Sequence, residues 1–185
     1  METAVTEELD VLAIVTERLE SAQMPYMVTG SMAANYYAVP RMTRDIDIVV
    51  ELSTADVDQL CNLFQGDFYV DRDTVRAAIA EQSVFNLIHM ERVVKVDFIV
   101  RKDTEYRRAE FARRRRASAD GWEFFVAAPE DLIISKLEWG RDSHSEVQMA
   151  DVRNLLASVA ELDRDYLARW VERLGLDALF RELTG

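Results

Sequence analysis

Apolar residues recur with two periods along this chain, and the switches between them lay out its elements. From residue 6 to 21, Leu9, Leu12 and Leu19 fall on one side of an amphipathic helix. Tyr26-Met27-Val28-Thr29 reads as a short strand ended by Gly30, and residues 31–37 as a brief helix stopped by Pro40. Asp45 to Leu52 is a second strand, rich in Ile and Val. Helices follow at 54–64, with Ser53 as N-cap, and at 74–81. Residues 84–90 and 93–100 are strands joined by the tight Glu91-Arg92 connection. A basic helix covers 104–114, and a strand at 122–127 pairs with 115–119 across Asp120-Gly121. Pro129 suits a first helical turn, where its missing N–H is no loss. From there the pattern is helical: 129–139, 145–159, 163–174 and a short terminal piece. This order predicts an α/β (α+β) fold, with a small mixed-sheet core over 1–103. Residues 104–185 supply a basic helix, a hairpin and a helical C-terminal region packed on that core, as a second part or within one domain.

Composition narrows the class. With 185 residues, 49% of them hydrophobic, the chain can bury a full core, and three prolines and six glycines argue against a linker or low-complexity protein. No repeat is present. The start is acidic and lacks a long apolar run, so neither a signal peptide nor a membrane span is expected, and a cytoplasmic protein is the plain inference. The lone Cys61, beside Leu60 and Phe64, is a core residue and excludes an internal disulfide framework. A net charge of −12 disfavours nonspecific nucleic-acid binding. Yet Arg107, Arg108 and Arg113 to Arg116 crowd into ten residues. They form either a local phosphate grip or a solvated face balanced by neighbouring acids.

The chemistry gathers around two segments. Gly30-Ser31 follows a strand, where glycine permits a sharp turn and a close approach to a ligand, and Ser31 can cap the next helix and present its hydroxyl to a phosphate. Thirteen residues later comes Asp45-Ile46-Asp47. Residues two apart on a strand share a face, so both carboxylates point together while Ile46 and Ile48 turn into a core. Aspartate is depleted in strands, which makes this pair a candidate for divalent metal and nucleotide phosphates. Asp45 can equally end the preceding loop and pair with Arg41 or Arg44. Asp97 interrupts an apolar strand where an unpaired carboxylate is costly, a cost that a metal shared with the first pair removes. Lys95, on the same face, either bridges to Asp97 or neutralises a phosphate. Asn86 turns toward this site or to solvent. His89 and His144 are unrelated singles without metal spacing.

Gly30-Ser31, Asp45-Ile46-Asp47 and a later strand bearing Asp97 resemble the minimal nucleotidyltransferase pattern of the DNA polymerase beta-like superfamily. Pro129 to Trp139 and Ser145 to Val152 resemble the helical part of AbiEii/AbiGii toxin-type nucleotidyltransferases, a group that includes toxins of type IV toxin–antitoxin systems. The resemblance covers roughly residues 8–160. It implies that Asp45 and Asp47 hold two Mg²⁺ (or Mn²⁺) ions. Asp97 shares one of them and acts as general base, while Gly30 and Ser31 cradle the β and γ phosphates of an NTP. Lys136 and Asp151 both sit on apolar stripes of their helices, where charge is rare without a partner. They either pair with each other, or Lys136 contacts the phosphates while Asp151 orients it or Arg141. Arg44 and Lys95 complete the substrate contacts. The acceptor is either RNA gripped by Arg113 and Arg115, with a cognate antitoxin as partner, or a small molecule such as an aminoglycoside, which the overall acidity suits. A nucleotide-binding module without catalysis is the third reading.

Overall fold

The computed structural model describes residues 2–119, 121–143 and 145–184. The Asp120 half of the expected turn and His144 lie outside the described residues. Strands and helices alternate through the first half: α1 (Glu2–Ser21), β1 (Tyr26–Thr29), α2 (Gly30–Tyr37), β2 (Ile46–Val50), α3 (Val57–Phe64), β3 (Phe68–Tyr69) and α4 (Arg72–Glu81). Then come β4 (Val84–His89), β5 (Val94–Val100), α5 (Glu105–Ala112), β6 (Arg115–Ala119) and β7 (Trp122–Val126). The remainder is helical: α6 (Pro129–Ser143), α7 (Glu146–Ser158), α8 (Arg164–Arg173) and α9 (Asp177–Thr184).

The strands form one mixed sheet in the order β3-β4-β5-β2-β1-β7-β6. Strand β2 runs parallel to β5 and antiparallel to β1, while β1 runs parallel to β7. The sheet therefore continues across the expected boundary at 103/104, because β6 and β7 extend the edge that β1 presents.

Alternation along the strands divides the two faces. Phe85 and Leu87 on β4, Ile46 and Ile48 on β2, and Val96 and Phe98 on β5 are buried. Phe64 of α3 meets Phe68 and Phe98 edge-on, and Phe85 stacks on Phe98 at 5.1 Å. Each such ring removed from water contributes about 1.5–3 kcal/mol. Arg18 of α1 clamps this layer with two 2.7 Å hydrogen bonds to Asp67. The opposite side chains of β4 and β5 (Val84, Asn86, Ile88, Lys95) are exposed, and the site described below opens on that face. Cys61 is buried.

Several local expectations are corrected. Residues 54–64 are a short 3₁₀ turn, Thr54–Asp56, leading into α3, because Asp56 accepts from both the amide and the hydroxyl of Ser53 and tightens the entry. Strand β3 has only two residues, too few for a periodic signal. Helix α6 continues past Trp139 to Ser143. Among the described residues no helix is long and apolar enough to cross a membrane.

Candidate active site

Strand register assembles the site. Thr29 lies opposite Asp47, Asp47 beside Asp97, and Asp97 opposite Asn86. Residues directly across neighbouring strands share a face, so these four form one polar row crossing four strands. Asp45 sits one residue ahead of β2 and is exposed. Helix α2 starts at the end of β1 with Gly30 at φ +63°. A Cβ there would collide with the Asp47 carboxyl, so only glycine lets that group sit against the first turn of α2. The Thr29 side chain at the N-cap makes no capping hydrogen bond to this turn. Ser31 lies inside the helix rather than at its cap, and its hydroxyl accepts from Arg41 Nη2 at 2.6 Å.

These residues line a cleft of about 300 Å³. Gly30, Ser31, Asp45, Asp47, Lys95 and Asp97 form one wall; Leu132, Ser135, Lys136 and Trp139 of α6 and Gln148 of α7 form the other. Lys136 is buried, and its Nζ donates to Asp151 Oδ2 at 2.7 Å and to Gln148 Oε1 at 3.0 Å. Burial draws the Lys136 ammonium down from its ordinary range while Asp151 opposes the shift. Burial pushes the Asp151 carboxyl up, but hydrogen bonds from Arg41 (2.8 and 2.9 Å) and Lys136 outweigh it and hold the group below the usual range. Asp151 thus holds Lys136 and Arg41 together.

Asp47 is the electrostatic outlier. Among the described residues it has no ion pair, and burial together with the charges of Asp97 and Asp45 pushes its carboxyl up to about 6. Asp97, by contrast, accepts from Lys95 Nζ at 2.7 Å and from the Asn86 amide. Among the described residues no three His, Cys, Asp or Glu side chains are gathered closely enough to hold an ion as they stand. The donor set nevertheless suits a hard divalent cation: three carboxylates, of which Asp47 has no ion pair among the described residues, feels Lys136 and Lys95 less than burial and its acidic neighbours, and sits against Gly30 at the first turn of α2.

The structure brings Gly30, Ser31, Asp45, Asp47, Lys95, Asp97 and Lys136 together, with Asp151 directly behind. Arg44 does not line the cleft. Arg113 and Arg115 lie elsewhere, against the first turn of α6. Arg113 bonds Glu130 at 3.0 Å and Asp131 at 3.1 Å and covers the Tyr166 ring, and Arg115 reaches Glu130 at 3.5 Å. Within the same stretch Arg107 pairs with Glu110 and Glu138, Arg108 with Asp103, and Arg116 with Glu20 and Glu123, while Arg114 donates to the Phe111 carbonyl and lies over the Phe111 and Phe125 rings. The buried carboxylates Glu110, Glu130 and Asp131 hold Arg107, Arg113 and Arg115, while Arg108 and Arg116 pair with half-buried or exposed acids. Sequence reading missed Arg41, Ser135, Trp139 and Gln148. Leu132, Ser135, Lys136 and Trp139 follow helical 3–4 spacing, and that shared stripe was the available signal.

No protein-family model matches the chain, and no curated protein matches it in sequence. Solved structures do share its fold. An antigenic nucleotidyltransferase-like protein from Paracoccidioides brasiliensis superposes with a TM-score of 0.61 at 16% identity, over 98% of this chain and 94% of that one. ANT(2'')-Ia in complex with adenylyl-2''-tobramycin gives 0.59 at 13% identity, over 95% and 99%. The lincosamide antibiotic adenylyltransferase LnuA, lincomycin-bound, gives 0.50 at 13%, over 86% and 98%. At these identities the likeness is one of fold.

Proposed function

We propose that this chain transfers a nucleoside monophosphate from an NTP to an acceptor hydroxyl and releases pyrophosphate, with Mg²⁺ or Mn²⁺ as cofactor. The observation that carries this reading is the Asp47–Asp97 row, flanked by Asp45, facing the uncapped start of α2 across a cleft from Lys136. Asp45, Asp47 and Asp97 would hold the cation. When bound, it neutralises triphosphate charge and lowers the pKa of the attacking hydroxyl. The amides around Gly30 and Ser31 receive the β and γ phosphates. Lys136, fixed by Asp151, adds positive charge from the α6 wall, and Lys95 serves the phosphates once it leaves Asp97. Asp97 takes the proton of the acceptor hydroxyl. The hydroxyl oxygen bonds to the α-phosphorus as the bridge to the β-phosphate breaks. Positioning and charge do most of this work.

The acceptor divides into two readings. RNA, with toxin-like action and a cognate antitoxin, follows from the resemblance of the α6 and α7 segments to AbiEii/AbiGii enzymes. A small cationic hydroxylated molecule fits the acidic chain, the cleft of about 300 Å³ and the pairing of the arginine stretch. The pairing favours the second, and tobramycin and lincomycin, named with two structural neighbours, are reasonable first probes. The test supplies each labelled NTP, Mg²⁺ and either total cellular RNA or these antibiotics, and follows pyrophosphate and labelled product. Steep loss of transfer with added salt marks RNA as acceptor. No pyrophosphate from any combination, with Asp47→Asn indistinguishable from the parent protein, overturns the reading.

A further inference from the structure

A second cavity, of about 350 Å³, lies on the other side of the sheet from the cleft. Val28 lines it whereas Thr29 lines the cleft, and consecutive strand residues point to opposite faces. Leu12 of α1, Met32 and Tyr36 of α2, and Trp122 and Phe124 of β7 make its wall mostly apolar and aromatic. The two β7 rings stack at 4.5 Å, and Tyr36 meets Phe124 edge-on at 5.9 Å. One group contradicts this lining. Glu8 of α1 faces the cavity, is only 7% exposed, and among the described residues its Oε2 has no hydrogen-bond partner. Two donors of the lining are engaged elsewhere: Trp122 Nε1 donates to Thr16 Oγ1 at 2.9 Å, and Arg41 serves Asp151 and Ser31.

A buried carboxylate oxygen without a donor is costly, and the cost is removed by a ligand that brings one. An anion would be repelled and a neutral hydrocarbon would leave the oxygen unpaired. A protonated amine both bonds it and sits well among aromatic faces. The volume falls within the range of small-ligand pockets. We infer that this cavity binds a small amphipathic molecule carrying a protonated amine, with Glu8 as its anchor and Tyr36, Trp122 and Phe124 around its apolar body.

The test titrates the full chain with 4-phenylbutylamine, protonated at neutral pH, and with neutral 4-phenylbutanol, by calorimetry and tryptophan fluorescence. One amine should bind per chain, about tenfold more tightly than the alcohol, a factor typical of one charge-assisted hydrogen bond. Glu8→Gln keeps the side-chain shape and should erase that preference, with a thermal melt confirming the fold. Ser118→Trp, placed on the exposed strand beside the opening, should block both probes. Asp47→Asn should leave amine binding unchanged, which separates this site from the cleft and from the fate of the transferase reading. Equal affinity for amine and alcohol would overturn the inference. So would no binding up to about 10 mM, a preference that survives Glu8→Gln, or amine binding weakened by Asp47→Asn.

Discussion

Two groups of sequestered carboxylates stand on either side of helix α6, and the protein treats them in opposite ways. Beneath its first turn, Glu130 and Asp131 are fully buried and Glu110 nearly so. Burial pushes the Glu110 and Asp131 carboxyls up, but each has donors at hydrogen-bond distance: Arg107 and Ser135 for Glu110, Arg113 and Tyr166 for Asp131. One to two turns further along, Lys136 faces the cleft, where Asp47 is less deeply placed yet has no ion pair among the described residues and crowds two further carboxylates. A carboxylate that a fold needs for its own packing is paired within the fold. Asp47, beside like charges and against Gly30, has no such pair among the described residues. Arg107, Arg113 and Arg115 belong to the first group and the acidic motif to the second.

The largest effect that could break this contrast is at Asp47. Asp47→Asn should lower pyrophosphate release by about 10³-fold or more, roughly 4 kcal/mol of barrier, with circular dichroism unchanged. An active variant would remove the cleft from the chemistry.

On the structural side, Arg113→Ala should cost about 3–4 kcal/mol of stability, because Glu130 and Asp131 lose a buried partner. Urea unfolding measures it, and nucleotide binding by the folded fraction should persist. Full stability with lost RNA labelling would return Arg113 to the substrate surface and undo the comparison.

Protonation sharpens the difference. The folded Asp47 carboxyl titrates near 6, above its ordinary 3.8, so the native state binds the proton more readily than the unfolded chain. Its contribution to stability is therefore present at low pH and is lost as pH rises from about 4 to about 6. In EDTA, Asp47→Asn should be more stable than the parent above pH 6 by about 2 kcal/mol, allowing for partial exposure, and the two should converge near pH 4. Parallel stability profiles would show that the crowding is relieved in solution.

The smallest effect belongs to Lys136. Lys136→Met leaves Asp151 bonded to Arg41, so the loss should fall on nucleotide binding, a KM raised about tenfold, near 1.4 kcal/mol. Unfolding free energy should change by about 1 kcal/mol or less. A large stability loss with unaltered KM would place Lys136 with the structural group.

Much of the fold was legible because period and burial coincide. Strand β4 alternates exposed and buried residues throughout, and Pro129 opens α6 where its chemistry allows. Strand β3 was not legible, since two residues carry no period. In the site, Gly30, Asp45, Asp47 and Asp97 stood out as residue types at odds with their surroundings. Arg41 and Gln148 did not, because an arginine in a polar loop and a glutamine in a helix contradict nothing locally.

Taken alone, the amino-acid order determined which segments are helices and strands and which acids interrupt apolar strands, because local propensity and periodicity depend on near neighbours. It left open which charges pair. Register across β1, β2, β5 and β4 and the packing of α6 against α7 decided that Arg107, Arg113 and Arg115 neutralise buried acids, that Asp151 holds Lys136 and Arg41, and that Asp47 has no ion pair among the described residues. Coulomb attraction and desolvation act through space between residues as many as 110 positions apart, a distance that no local pattern encodes.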